Sequence, residues 1–237
     1  MALIVDLLRK PVFAHESDRS PTVLCSRTPD SAAKTALVAP IVIAVTDHLR
    51  RRVDRPLMVV GGLDEIAHLA TAILAITGLA RQQPPRFAGS LLVASVAIDL
   101  DHIPSYLGIK WLNRGTPRPY PHSLLTLLAV AMLGTLWRGQ RWAVLGAFAG
   151  LALHFWRDLS QPGGGVSLFW PLTKRSFSVA YAWYALTIAI LTILTIRSMA
   201  GGHSTLGSSS TSTSPPTSAC RLCGIGWFDR LWVGLLP

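Results

Sequence analysis

Long apolar segments alternate with short charged ones from residue 57 onward. Five apolar segments can be distinguished, covering residues 57–80, 87–107, 122–137, 142–156 and 178–196. The breaks between them are rich in Arg, Lys, Pro and Gly, as is typical of loops. Since a helix needs about 20 apolar residues to cross a bilayer, the pattern predicts an all-α, polytopic membrane bundle of about five transmembrane helices.

The two flanking regions have a different character. Residues 1–56 hold nine basic and six acidic residues and one apolar run, 36–45, which is too short to span a bilayer. Ser, Thr, Gly and Pro dominate the chain after residue 200, and such a composition cannot bury a core. We therefore expect a basic, partly disordered N-terminal extension (1–56), a transmembrane domain (57–199) and a disordered tail with an apolar C-terminus (200–237).

Composition and charge favour a membrane protein over a soluble one. Of the 237 residues, 50% are hydrophobic and 14% are charged, against about 25% charged in soluble domains. The net charge of +10 fits anionic lipid or nucleic acid, and the apolar content favours lipid, so no nucleic-acid partner is expected. Basic residues are more numerous on the N-terminal side of the helices, which predicts a bacterial plasma-membrane protein with a cytoplasmic N-terminus.

Ionisable residues are confined to four short motifs within the apolar region. Between residues 57 and 200 every Asp, Glu and His lies in DEIAH, IDLDH, PHS or HFWRD. Because consecutive helices run in opposite directions, all four motifs fall at helix ends on one side of the membrane. Ionisable residues at such a depth are commonly functional, although a single Asp or His near a helix end is as often a cap or an interhelical hydrogen-bonding group.

The spacing within the motifs indicates a metal site. His154 and Asp158, four residues apart, lie on one face of a helix, and two other motifs pair a carboxylate with an imidazole in the same way. Facing helices build metal sites from such pairs. Nitrogen and oxygen ligands without thiolate favour one or two ions of zinc, manganese or iron. The predicted ligands are His68, Asp99, Asp101, His102, His122, His154 and Asp158.

Two further residues are predicted to act in catalysis. Glu65 is a candidate general base, and Arg118 is placed to hold an anionic group such as phosphate. Arg118 also has a plainer interpretation, as a loop arginine that obeys the positive-inside rule. Because Asp64 and Glu65 are adjacent on a helix, we expect only one of them to face the site.

The motifs together resemble a known family. DEIAHLATA, IDLDHIP, RPYPHSLL and HFWRDLSQPGGGVSLFWPL are similar, in order and placement, to motifs of the YdjM-like (LexA-regulated) predicted membrane-bound metal-dependent hydrolases. The resemblance covers roughly residues 57–173, and the chain departs from the pattern at Ile98 and Pro117. It implies site roles for His68, Asp99, Asp101, His102, Arg118, His122, Ser123, His154 and Asp158.

These observations leave three hypotheses of function. The first is an integral-membrane hydrolase whose metal-activated water attacks an ester or phosphoester of a lipid or amphiphile, with an anionic substrate favoured by the basic loops. The second is a metal-ion or proton transporter, since intramembrane Asp and His chains also form ion pathways. The third is a non-enzymatic membrane protein with a structural metal site. The absence of a polar trail to the opposite side in the sequence pattern weighs against transport.

Overall fold

The computed structural model describes residues 29–53, 57–79, 83–109, 111–112, 114–162 and 165–200. The expected disorder concerns residues 1–56 and 200–237; of these, residues 1–28, 54–56 and 201–237 lie outside the described set, whereas residues 29–50 form a helix. In the described part the only β-structure is an isolated bridge between Val166 and Phe177, so the all-α prediction is confirmed. The helices are α1 (Pro29–Arg50), α2 (Leu57–Gly78), α3 (Pro85–Ala97), α4 (Ile103–Tyr106), α5 (Leu124–Leu136), α6 (Arg141–Ser160) and α7 (Tyr181–Ala200).

All five predicted apolar segments form helices. α3 continues through a 3₁₀ turn, Ile98–His102, into α4. Three stretches are long and apolar enough to cross a membrane, and two shorter helices are also apolar. The three long stretches are Ala32–Arg50, Met58–Gly78 and Pro85–Tyr106.

α1 corrects the expectation for residues 36–45. That run was predicted to be too short to cross a bilayer, yet it lies within a helix of 22 residues. Ala39 and Ile43 of this run are buried in a core cluster with residues of α2 and α7. The buried face extends beyond the run to Ala32. Thr46 fits the same helix since its hydroxyl donates to the Val42 carbonyl at 2.8 Å.

The helices alternate in direction, which gives the bundle two distinct ends. At one end Arg157, near the end of α6, bonds Asp47 near the end of α1 (2.6 Å) and Asp64 in the first half of α2 (3.1 Å). At the other end Gly78 of α2 lies against Thr195 of α7. We call the first of these the site end. The ends of α1, α3 and α6 and the starts of α2, α5 and α7 lie there.

Two glycines allow α3 and α6 to pack at very short range. A Cβ at Gly146 would lie 2.2 Å from the Phe87 carbonyl oxygen, and one at Gly150 would lie 2.3 Å from that of Leu91. This is the small-xxx-small arrangement by which membrane helices bring their backbones together. Four residues further along α6, His154 meets the carbonyl oxygen of Ser95. The glycines therefore bring α6 close enough to α3 for the imidazole of His154 to reach the Ser95 carbonyl.

Gly150→Leu is expected to lower the stability of the bundle and its metal content together. The new side chain has no room beside the α3 backbone, and overpacking of this kind costs about 1–3 kcal/mol. Thermal unfolding in detergent and elemental analysis would measure both effects. Gly89→Leu is the matched control, because a Cβ at Gly89 meets nothing within 4 Å. Equal melting temperatures for the two variants would refute the close packing of α3 and α6.

α5 starts two residues later than predicted. The predicted segment 122–137 becomes a helix only from Leu124, and His122 lies in the preceding irregular segment. Pro119, His122 and Ser123 are nevertheless buried, and irregular backbone at membrane depth is tolerated where protein surrounds it. The N–H of Leu124, which has no partner within its own helix, donates to the Leu168 carbonyl at 2.8 Å. Two loops, residues 107–123 and 165–180, thus meet at the site end.

Candidate metal centre

The structure brings all seven predicted metal ligands into one cluster at the site end. Their ligand atoms form three overlapping groups, in each of which the atoms lie within 4.8 Å of one another and could hold a metal ion. The ligands come from four elements: α2, the 3₁₀ turn, the segment before α5, and α6. The groups are Asp99, His122, His154 and Asp158; Asp99, Asp101, His102 and His122; and Asp64, His68 and Asp158.

The first group, which we call the tetrad, has the spacing of a tetrahedral metal site. Nε2 of His122 lies 3.0 Å from Oδ1 of Asp99, 3.2 Å from Nε2 of His154 and 3.5 Å from Oδ2 of Asp158. Nε2 of His154 lies 3.3 Å from each of the same two carboxylate oxygens. Four ligands at 2.0–2.1 Å from a tetrahedral ion are separated by about 3.3–3.4 Å. The tetrad therefore fits a single zinc-sized ion.

Hydrogen bonds outside the tetrad orient its two imidazoles. Nδ1 of His154 donates to the Ser95 carbonyl at 2.8 Å, and Nδ1 of His122 lies 3.2 Å from Oδ2 of Asp101. When both imidazoles are neutral, as metal binding requires, each ring carries its one N–H at Nδ1, and both Nε2 atoms present lone pairs to each other and to two carboxylates. Such an assembly of acceptors is unfavourable without a cation, and oriented imidazoles of this kind are typical of metal sites.

In the second group Asp101 serves to position its neighbours. Its Oδ1 lies 2.9 Å from Nδ1 of His102, and its Oδ2 contacts His122. Nε2 of His102 in turn lies 3.4 Å from Nη1 of Arg118. Asp101 therefore orients the imidazole of His122, while Nδ1 of His102 also lies 3.3 Å from Oδ1 of Asp99 in the tetrad.

In the third group an arginine lies where a second ion would bind. Nε2 of His68 is 3.5 Å from Oδ1 of Asp158 and 3.9 Å from Oδ1 of Asp64. Nη2 of Arg118 lies 2.9 Å from the same Asp158 oxygen and 3.6 Å from Oδ2 of Asp64. The ring of His68 stacks on that of His154 with centroids 3.8 Å apart. This arrangement favours one ion beside a guanidinium over a pair of ions.

Arg118 is the predicted catalytic arginine, and its side chain reaches into the cluster from the loop before α5. Burial disfavours its charge, but the carboxylates of Asp158 and Asp64 outweigh that effect and raise the pKa of Arg118. The guanidinium therefore stays positively charged beside the tetrad. Ser123, which the family resemblance also implicates, is buried directly after His122.

Asp64 and Glu65 both reach the cluster, which corrects the expectation that only one would. Asp64 is buried and accepts hydrogen bonds from Arg157 and from Nε2 of Gln161. Glu65 lies close to Asp99, and its Oε2 is buried without a hydrogen bond to any described residue. The two carboxylates therefore join the cluster through different partners. Asp64 contacts Arg157 and Arg118, whereas Glu65 lies beside the tetrad member Asp99.

A network that the sequence analysis missed holds α1 against the site. Arg157 is 1% exposed and bonds both Asp47 and Asp64, while the Tyr181 hydroxyl donates to Asp47 at 2.5 Å. Asp47 was overlooked because it belongs to the segment expected to be an extension. The available signal was Arg157 itself, since an arginine inside an apolar helix needs a carboxylate partner.

A cavity of about 800 Å³ adjoins the cluster between α2 and the α3–α4 segment. Its polar side consists of Asp64, Glu65, Asp99, His102 and Arg118. The remaining walls are glycine, tyrosine and apolar side chains: Met58, Gly61, Gly62, Val93, Val96, Ala97, Leu100, Ile103, Tyr106 and Leu107. Glu65 and Arg118 are thus accessible from a space large enough for a small molecule.

Comparison with known proteins gives one match. A family model described as YdjM inner membrane protein matches residues 63–221, which include the whole tetrad. The match covers more than half of the chain and confirms the resemblance seen in the motifs. No curated protein and no solved structure matches significantly. The family description and the apolar helices place the protein in a membrane, while the cytoplasmic N-terminus stays a prediction.

Proposed function

The chain belongs to the YdjM inner membrane protein family, and for this member we propose an integral-membrane, metal-dependent hydrolase. The substrate is an ester or phosphoester of an anionic lipid or amphiphile. The observation that carries the proposal is the tetrad, in which four metal-binding atoms converge at tetrahedral spacing. A divalent zinc, manganese or iron ion held there would supply Lewis acidity and a water of lowered pKa.

Residues around the tetrad have separate tasks in this proposal. Glu65 faces the cavity beside Asp99 and accepts a proton from the attacking water. Arg118 lines the same cavity and binds the anionic group of the substrate through its guanidinium. Asp101 and the Ser95 carbonyl hold the imidazoles of His122 and His154 in place.

The alternative of a transporter has less support. A transported ion needs polar groups along its whole path, yet α2 carries no Asp, Glu or His after His68, and α3, α5, α6 and α7 carry none in their halves remote from the site end. The buried hydroxyls of Thr71 and Thr195 donate to carbonyls of their own helices. A purely structural ion agrees with the four protein ligands of the tetrad, because structural zinc sites are closed in this way. The hydrolase is favoured over it by the cavity that Glu65, Asp99 and Arg118 line, and it requires an ion that takes a water in addition to its four protein ligands.

Hydrolysis assays on the purified protein test the proposal. We expect the metal-loaded protein to hydrolyse amphiphilic esters or phosphoesters and a chelator to abolish this activity. Glu65→Gln is expected to retain the metal and lose about 10²–10⁴-fold in kcat, the usual contribution of a general base. Arg114→Gln is the control, because Arg114 is exposed and does not line the cavity.

Two results would contradict the hydrolase. Metal uptake by proteoliposomes without turnover of any ester would indicate a transporter. Bound metal with neither uptake nor turnover would leave a structural site. An activity equal in Glu65→Gln and the wild type would remove Glu65 from the mechanism.

A further inference from the structure

The cavity beside the metal centre opens sideways, toward the lipid-facing surface of the bundle. Four of its apolar wall residues are among the most exposed hydrophobic side chains of the helices: Met58, Val93, Leu100 and Leu107, each 63–67% exposed. They lie on α2 and on the α3–α4 segment, on both sides of the gap between these helices. In a bilayer the surroundings of such side chains are hydrocarbon chains. The cavity is therefore a cleft with an apolar mouth and a charged inner end.

Along α2 and the α3–α4 segment, the two walls of the cavity, the charged inner end lies below the helix ends, although Asp158 is only two residues before the end of α6. Asp64 is seven residues after the start of α2, and Asp99 is seven residues before Tyr106, where α4 ends. At 1.5 Å per residue both carboxylates lie about 10 Å inside the site end. A substrate whose reacting group enters at this depth can keep a hydrocarbon chain within the bilayer.

Loops cover the cluster on the side away from the bilayer. The loops 107–123 and 165–180 are joined by a stack of Tyr120 on Trp170, with centroids 4.5 Å apart. Nζ of Lys174 donates to the Arg114 carbonyl at 3.1 Å, and residues 165–180 contribute nothing to the cavity lining. The sideways mouth is thus the more open route to Arg118.

Two consecutive glycines of α2 shape the cleft. A Cβ at Gly62 would meet nothing within 4 Å, so Gly62 borders empty space inside the cleft. A Cβ at Gly61 would lie 2.5 Å from the Tyr106 hydroxyl, so Tyr106 closes the cleft above that residue. Gly62 is exposed where it lines the cleft, so a larger side chain at residue 62 would narrow the cleft at its edge without displacing any group of the protein.

We propose that the cleft binds one hydrocarbon chain of a phosphate-bearing amphiphile, which enters sideways from the bilayer and presents its phosphate to Arg118. The inference rests on the proposed function and specifies its substrate class. A cavity of about 800 Å³ is of the size that encloses a drug-sized ligand, which suits a headgroup and the adjoining part of one chain. Arg118 provides a fixed positive charge, and its guanidinium geometry suits phosphate. Its Nη2 already contacts Asp158 and Asp64, so the phosphate shares the guanidinium with these carboxylates, and a bound metal ion would offset their charge.

Photolabelling of the reconstituted protein tests the proposal without requiring turnover. The probe is hexadecyl phosphate with a photoactivatable group in its chain, in phosphatidylcholine vesicles. We expect labelling of peptides from α2 and α3–α4 that unlabelled hexadecyl phosphate displaces and hexadecanol does not. Gly62→Leu is expected to weaken this displaceable labelling about tenfold, a loss of binding that a blocked site readily gives. Gly89→Leu is the matched control outside the cleft and should label as the wild type does.

The outcomes distinguish a failure of the proposed sideways entry from a failure of the proposed hydrolase. Wild-type labelling in Gly62→Leu, or equal displacement by water-soluble phenyl phosphate, would overturn the sideways route. Val93→Trp, at the mouth of the cleft, gives a second test if Gly62→Leu fails to keep the melting temperature of the wild type. Specific labelling without any hydrolysis would contradict the hydrolase alone. Hydrolysis of soluble and amphiphilic phosphoesters at equal rates would contradict the chain-binding cleft alone.

Discussion

His154→Ala is expected to remove the bound metal from the purified protein, whereas His102→Ala is expected to leave it bound. Nε2 of His154 contributes three of the short separations within the tetrad. His102 approaches the tetrad through Nδ1, which lies 3.3 Å from Oδ1 of Asp99, and otherwise lies beside Asp101 and Arg118. Elemental analysis and zinc titration in detergent would measure the difference. We expect at least about a 100-fold loss of affinity, since removal of a mere supporting partner already costs 10–100-fold.

The comparison between the two histidines is informative because both belong to motifs with metal-ligand spacing. Equal metal loss in His102→Ala would move the ion to the second group and make Asp101 a ligand. Retained metal in both variants would contradict a tetrad centre. The melting temperature of each metal-free variant must be compared with that of the metal-free wild type, because a bound ion stabilises the folded state by an amount that grows with the logarithm of its affinity.

Arg157→Leu is expected to destabilise the protein by about 3–5 kcal/mol, the usual effect of removing one partner of a buried ion pair. Arg157 is 1% exposed and neutralises Asp47 and Asp64. Its guanidinium also lies 5.2 Å from the centre of the Tyr184 ring. Leucine would leave Asp47 with an uncompensated charge and loosen α1 from α6. Thermal or denaturant unfolding in detergent would measure the loss.

A double variant separates charge from packing at this position. Arg157→Leu combined with Asp47→Leu removes both charges, and we expect it to recover part of the lost stability. Arg175→Leu is the surface control, since Arg175 is exposed. If Arg157→Leu unfolds no more easily than Arg175→Leu, the ion pair does not hold α1 in place.

The convergence of the four polar motifs could be predicted because it follows from helix alternation alone. Each motif has a definite position on an apolar segment, and antiparallel neighbours bring alternate ends together. The choice of Asp99, His122, His154 and Asp158 over the other candidates could not be predicted in this way. It depends on side-chain direction and on the depth of the loop before α5, which places His122 inside the bundle without a helix.

Two features were missed for different physical reasons. α1 was missed because its apolar run is short, and its burial comes from alanines that a hydropathy pattern scores weakly. The α3–α6 interface had a readable signal, since Gly146 and Gly150 have the spacing of a close membrane-helix contact. That spacing continues through His154 and Asp158, so the same row of residues that packs the helices also carries two of the candidate ligands.

With α1, six helical elements run between the two ends of the bundle in the described part of the chain: α1, α2, α3–α4, α5, α6 and α7. Pro29 begins α1 and Ala200 ends α7, and both lie at the end of the bundle remote from the metal centre. In a bilayer the two ends of the described chain therefore face one compartment, and the loops over the metal centre face the other. The charge count that predicts a cytoplasmic N-terminus placed Arg50, Arg51 and Arg52 on the same side as residue 1, but α1 separates them, and these three arginines lie at the site end. That count therefore does not apply to the start of α1, and the leaflet that supplies the substrate is the one beside the loops over the metal centre.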